Sequence, residues 1–130
     1  MSQVIVKARC HCGAVEIEAR LPTQFVVHCF CQSCRKTHAA GSVAFAGFTK
    51  DQVRIARGEE HISNYESSPQ TWRKFCKNCG TRLGFETNSN PSWANEFHVP
   101  LALFLSPLDR APHANSFLHE RPEWAPYHEL

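Results

Sequence analysis

Along Val15-Glu16-Ile17-Glu18-Ala19-Arg20 apolar and charged side chains alternate, the period of two that a half-buried β-strand requires. Gln52-Val53-Arg54-Ile55-Ala56-Arg57 repeats that alternation, and Val4 to Arg9 is rich in β-formers. Further strands are predicted over 25–27, 42–48, 61–66, 71–75 and 81–87. A core strand is predicted over 96–105, with Pro100 set against a central, uninterrupted one, and a last short strand over 115–119. Turn residues separate these runs: Gly13, Leu21-Pro22-Thr23, Gly58, Ser67-Ser68-Pro69-Gln70 and Asn88-Ser89-Asn90-Pro91-Ser92. One or two helical turns are predicted over Cys34 to Gly41, with Gly41 as the stop, and Pro122 to Tyr127 reads as a tail whose aromatics lie against the body. The expected fold is mainly β with little helix, in one domain spanning residues 1–130.

Composition narrows the function classes. A chain of 130 residues that is 42% hydrophobic and 20% charged fits one globular domain, in which a bound metal would be a useful staple. No apolar run approaches the roughly 20 residues of a membrane span, and no basic amphipathic segment marks a membrane-surface helix. The 14 basic and 12 acidic residues are interspersed, for a net charge of +2, so a phosphate-binding stripe for nucleic acid is not expected. Met1 to Lys7 lacks the charged start and apolar core of a signal peptide, and a cytoplasmic location is expected. In a reducing compartment, cysteines at C-x-C and C-x-x-C spacing point to metal ligands before disulfides.

The seven cysteines divide without remainder. Cys10-His11-Cys12-Gly13 and Cys76-Lys77-Asn78-Cys79-Gly80 supply two pairs, each followed by glycine, and together make a closed four-thiolate site of the structural zinc type. The 63 residues between Cys12 and Cys76 would be clipped together by one ion, and structural zinc binds with roughly 10–16 kcal/mol in small domains. His28-Cys29-Phe30-Cys31-Gln32-Ser33-Cys34-Arg35 carries three thiols with no fourth beside them. Three protein ligands leave one position for water or substrate, the arrangement of a catalytic zinc. Two zinc ions per chain are therefore expected. The competing reading closes this second site with His28, His38 or a distant histidine.

With these motifs in hand, the chain resembles the glutathione-dependent formaldehyde-activating enzyme family, whose zinc domain is shared with centromere protein V. The resemblance rests on Cys10-His11-Cys12-Gly13-Ala14-Val15, on Cys29-Phe30-Cys31-Gln32-Ser33-Cys34-Arg35, and on Arg73-Lys74-Phe75-Cys76-Lys77-Asn78-Cys79-Gly80-Thr81, in that order. It implies a zinc-held β-tent of small antiparallel sheets. It also implies that Cys10, Cys12, Cys76 and Cys79 hold a structural zinc while Cys29, Cys31 and Cys34 hold a catalytic one. The implied activity is that of a carbon–sulfur lyase of the S-(hydroxymethyl)glutathione synthase kind, adding a thiol such as glutathione to formaldehyde or a related small aldehyde. The alternative is a non-catalytic zinc module that binds a protein partner. A homo-oligomer stays open. Phe30 stands where many relatives carry histidine, which is expected to alter the lining of the site.

Around the open cluster, His28 and His38 are candidate proton relays, and Arg35 or Lys36 a candidate partner for a carboxylate of the thiol substrate. His11 is expected to face solvent or hydrogen-bond near the closed site. His98, His113, His119 and His128 default to surface or structural roles, and Trp72, Trp93, Trp124, Phe45 and Phe48 to packing.

Overall fold

The structure is a computed structural model describing residues 4–130, so Met1–Gln3, part of the stretch read as lacking a leader, lie outside the described residues. Strands β1 (Ile5–Arg9) and β2 (Glu16–Arg20) form an antiparallel hairpin, and β5 (Val53–Arg57) pairs with β2 to complete a three-stranded sheet. A second sheet contains β3 (Phe25–Cys29), β4 (Val43–Thr49), β6 (Ile62–Ser68), β7 (Thr71–Cys76), β8 (Arg82–Thr87), β9 (Glu96–Pro100) and β10 (Ala114–Ser116). Its order is β10-β3-β4-β9-β8-β7-β6. All pairings are antiparallel except β10, which runs parallel to β3. Between β8 and β9 the ladder narrows to the pair Phe85↔His98, so the larger sheet is a four-stranded and a three-stranded leaf joined at one point. Mainly β architecture with one short helix matches the expected class.

Strand alternation divides the larger sheet into two faces. Val26 of β3, Ala46 and Phe48 of β4, Leu83 of β8, and Phe97 and Val99 of β9 turn toward Val6, Ala8, Ile17 and Ala19 of the three-stranded sheet, and together they make the main core. The alternate positions Phe25, Val27, Cys29, Phe45 and His98 line a cavity on the opposite face, joined by Phe85, which a register shift in the β7–β8 ladder separates from the core-facing Leu83. The near-continuous apolar sequence of β4 follows from this position, because it is central and buried on both faces.

Several local expectations are corrected. The helix α1 spans Gln32–His38, starting before Cys34, and it stops at Ala39, which takes the left-handed conformation (φ 53°). Gly41 has a different use: a Cβ there would come within 3.0 Å of Ala125 Cβ and of the Trp124 ring. The strand predicted over 96–105 ends at Pro100, whose ring removes a ladder donor, and a 3₁₀ turn over Leu101–Leu103 follows. Beyond it Leu105 donates its N–H to the Lys7 carbonyl, covering the free edge of β1. The tail docks through Ala125, fully buried, while Trp124 remains 71% exposed and Tyr127 stacks on Arg121.

Candidate functional site

Two glycine-ended turns bring the first four thiols together. Gly13 and Gly80 follow Cys12 and Cys79 with φ near +80°, a conformation available to glycine without Cβ strain. The sulfurs of Cys10, Cys12, Cys76 and Cys79 all lie within 4.8 Å of one another, with Cys10–Cys12 at 3.6 Å and Cys12–Cys76 at 3.8 Å. Tetrahedral Zn–S bonds of about 2.3 Å place sulfurs about 3.8 Å apart, so the donor set and spacing fit a zinc ion. The surroundings suit thiolates. Val15 N–H donates to Cys10 Sγ at 3.3 Å, and the Thr81 hydroxyl lies 3.2 Å from Cys79 Sγ and, with the Thr81 backbone, brings that thiol down to about 5. His11 is exposed, as expected, and its backbone N–H bonds the same Thr81 hydroxyl, tying the two turns together.

The second cluster sits where β3 runs into α1. Cys29 ends the strand, Cys31 is the N-cap, and Cys34 lies in the first helical turn, with the three sulfurs within 4.8 Å of one another. Cys29 and Cys34 are 3.5 Å apart, and the Cys34 N–H caps onto Cys31 Sγ at 3.3 Å. Hydrogen bonds from Cys29 and then Cys34 pull Cys31 down to about 2, with help from the charge of Arg73, while Cys29 is pushed well up by Cys31, Cys34 and burial. Among the described residues no histidine or carboxylate joins this group, and all seven cysteines are free thiols. This donor set also fits zinc, as a three-ligand centre.

The two flanking histidines stand apart from it. His28 occupies the alternate face of β3, in register with Ala44 and Asn115. His38 meets the edge of Phe45 at 5.6 Å, and burial, then Arg73 and Arg82, lower its imidazole to about 4. Arg35 gives Nε to the Phe30 carbonyl (3.0 Å) and a terminal nitrogen to the Glu120 carbonyl (3.1 Å), and it does not line the cavity. Phe30 does not line it either, so its expected effect on the lining is corrected: it is 1% exposed and buried in the body.

A cavity of about 310 Å³ opens on the three-thiol cluster, and its other walls are Phe25, Val27, Phe45, Arg73, Phe85, Trp93, His98, Ser116 and Phe117. Much of this lining is one cross-strand row. Register places Phe25 beside Gly47, Gly47 beside His98, His98 beside Phe85, and Phe85 beside Arg73, from β3 across β4, β9 and β8 to β7. Gly47 is the low point of the row: a Cβ there would lie 2.2 Å from Phe25 Cζ, so only glycine lets that ring fold over the strand. The Phe25 ring then meets His98 edge-on at 4.9 Å.

Two polar members of the row were missed in the sequence. Arg73, 5% exposed, lies over the Phe85 ring at 4.8 Å, donates Nε to Ser67 Oγ at 3.1 Å, and points a terminal nitrogen at Cys34 Sγ at 3.5 Å. It is a cation held beside the three-thiol cluster. His98 has its Nε2 2.9 Å from Glu96 Oε1, and burial lowers its pKa against the opposing pull of that carboxylate. Only the motif position of Arg73, three residues before Cys76, hinted at the first; nothing local marked His98, since the register of three strands brings it to the cavity.

Fold and site together define a β protein with one closed four-thiol centre and one open three-thiol centre beneath an aromatic cavity. The chain belongs to the glutathione-dependent formaldehyde-activating enzyme family, whose profile matches residues 5–120. It is 29% identical over 129 residues to a putative glutathione-dependent formaldehyde-activating enzyme of Halomonas elongata, covering 93% of this chain and 80% of that one. It is 34% identical over 91 residues to an uncharacterized lyase of Schizosaccharomyces pombe, covering 68% of this chain and 64% of the relative. A crystal structure of a Rhodobacter sphaeroides protein superposes with a TM-score of 0.67 at 28% identity, over 85% of this chain and 99% of the other. No helix among the described residues is long and apolar enough to cross a membrane.

Proposed function

We propose that this chain is a zinc-dependent carbon–sulfur lyase that reversibly joins a small thiol, glutathione being the family-level candidate, to formaldehyde or a related small aldehyde. The observation that carries this reading is the cavity of about 310 Å³ opening on Cys29, Cys31 and Cys34, with no fourth protein donor in that group among the described residues. Cys29, Cys31 and Cys34 would hold a zinc ion, which when bound would supply a further coordination position and lower the pKa of a thiol reaching it. Cys10, Cys12, Cys76 and Cys79 hold a second, structural zinc. A concave pocket of this size suits a small molecule better than a protein surface.

The chain's own groups divide the remaining work. Arg73 offsets the negative charge that builds up when a further thiolate joins three others, because its guanidinium is already buried at 3.5 Å from Cys34 Sγ. As sulfur bonds to the carbonyl carbon, the C=O π bond opens and its oxygen must take up the proton that the thiol released. His98 is the proton carrier. Glu96 engages Nε2 and fixes the ring, leaving Nδ1 for the substrate oxygen. Phe25, Phe45 and Phe85 surround this ring and exclude water from it.

The test begins with metal content per chain in protein purified without added metal or chelator. Two zinc ions are expected, and glutathione added to the cobalt-substituted protein is expected to change the thiolate-to-metal absorption. Exchange NMR then measures how fast the glutathione–formaldehyde adduct forms and breaks. One metal ion per chain, not raised by reconstitution, or an exchange rate unchanged by the metal-loaded protein, overturns the proposal.

A further inference from the structure

The cavity is built for more than formaldehyde and the sulfur of a thiol. Resting on the open thiol-binding centre argued above, we infer that the substrate carries an apolar, aryl-sized group seated between Phe25, Phe85, Trp93 and Phe117.

Three observations carry this. First, size and lining disagree with the small aldehyde: formaldehyde has two heavy atoms, whereas about 310 Å³ is available and half of the lining residues, His98 included, carry aromatic rings. Filling that space with the charged ends of glutathione would strip water from two carboxylates and an ammonium, while Arg73 is the one Lys or Arg in the lining among the described residues and already faces Cys34. An apolar ring loses nothing by the same transfer and offers faces and edges to its neighbours. Second, the floor is made for a flat group. Gly47 carries no side chain at the centre of the row, which lays the Phe25 ring across β4 and keeps it edge-on to His98. Third, the rim is aromatic where solvent contact would favour polar residues. Phe117 is 38% exposed, sits at φ 55°, a left-handed conformation unfavourable for an aromatic residue, and meets the edge of Trp93 at 6.3 Å. A strained, half-exposed phenylalanine at a cavity mouth is explained by a ligand ring that covers it.

The chemistry of the site is unchanged by this assignment. Sulfur still bonds to the carbonyl carbon and the thiol proton still moves to the carbonyl oxygen, with no oxidant or reductant. The aryl or comparably bulky apolar group resides on the thiol or on the aldehyde.

Four probes test it on the full, metal-loaded chain: benzyl mercaptan, 2-mercaptoethanol, glutathione, and benzyl alcohol, which has the ring without the thiol. Affinities come from calorimetry, metal contact from the spectrum of the cobalt-substituted protein, and ring binding from the shift of the Trp93 indole resonance. Benzyl mercaptan is expected to bind about 10- to 100-fold tighter than 2-mercaptoethanol, as burial of a phenyl-sized group requires. Phe117→Ala, with circular dichroism checking that the chain stays folded, is expected to cut that ratio severalfold. Thiols that all perturb the cobalt spectrum with equal affinity, or with glutathione tightest, would overturn the inference and leave the open centre standing. If no thiol perturbs the spectrum while benzyl alcohol still shifts Trp93, the apolar subsite is supported and the thiol-binding reading falls. If neither benzyl compound shifts Trp93, the subsite is refuted.

Discussion

Gly13, Gly80 and Gly58 hold almost the same backbone angle, with φ of +80°, +82° and +85°, but differ in what surrounds them. A Cβ on Gly13 or Gly80 meets nothing within 4 Å, whereas on Gly58 it would lie 2.0 Å from the Ala14 carbonyl oxygen and 3.0 Å from Val15 Cα. Replacement by alanine therefore carries a common left-handed penalty at all three positions, about 1–2 kcal/mol. At Gly58 alone a backbone clash is added. The contact has to open by about 1.4 Å to reach ordinary packing distance, and overpacking of this kind costs about 1–3 kcal/mol. The expected loss is thus about 2–5 kcal/mol for Gly58→Ala against about 1–2 for Gly13→Ala and Gly80→Ala. The strained segment is also the one whose Val15 N–H supports Cys10 Sγ, so part of the loss should appear as weaker metal retention at the closed centre. Guanidinium unfolding of the three metal-loaded variants, with metal content measured on the same samples, checks this. A Gly58→Ala midpoint equal to that of Gly13→Ala would show that β5 does not press on the first cysteine turn, and the reasoning would fail.

Cys31→Ser should remove one metal ion and thiol binding from a chain that still folds, because Cys31 lies at the cavity, whereas Cys76→Ser, at a fully buried position, should lose the fold; circular dichroism and metal analysis separate the two. Arg73→Met keeps much of the side-chain volume and deletes the charge beside Cys34, so the pH at which a thiol half-occupies the cobalt-substituted centre should rise by about one unit, equivalent to about 1.4 kcal/mol, with Arg73→Lys recovering part of it. An unchanged pH profile would remove Arg73 from the mechanism. His38, lowered from 6.5 to about 4, stays neutral in the folded protein while the unfolded chain takes up a proton. Its contribution is therefore present above pH 6.5 and lost as pH falls from 6.5 toward 4, by at most about 3 kcal/mol. The difference in unfolding free energy between the parent and His38→Gln, followed through that window, measures it, and a difference independent of pH would refute it.

The strands were legible because alternation is a local signal: Val15–Arg20 and Val53–Arg57 needed no tertiary information to declare their faces. The thiol clusters were legible for the same reason, since short spacings and following glycines lie within a few residues of one another. What failed to show was everything that depends on register. His98 is an ordinary histidine in sequence, and it reaches the cavity only because β9 pairs with β4 at Gly47 and with β8 at Phe85. Proximity in sequence also misled, because His28 follows the pleat to the other face and Arg35 turns to the tail's Glu120 carbonyl. Helix termination was misread because glycine is the usual left-handed stop, whereas Ala39 takes that conformation here and Gly41 makes room for Ala125.

The two thiol centres are mechanically linked through the leaf formed by β6, β7 and β8. That leaf brings Arg73 and Phe85 to the cavity, yet its ladder to β9 consists of the single pair Phe85↔His98. The leaf is also held at β8, where Leu83 packs in the main core and Arg82 donates Nε to the Thr37 carbonyl of α1 at 2.8 Å, and at the end of β7, where Cys76 and Cys79 meet Cys10 and Cys12. A metal ion in that closed centre would fix the leaf at the end of β7, helping to set the distance between Arg73 and Cys34 from outside the cavity. One pair of strand hydrogen bonds contributes on the order of 1 kcal/mol net for each bond, far less than the roughly 10–16 kcal/mol of structural zinc binding. A metal ion in the closed centre would thus add to the contacts that hold Arg73 beside Cys34, although none of its four thiols lines the cavity.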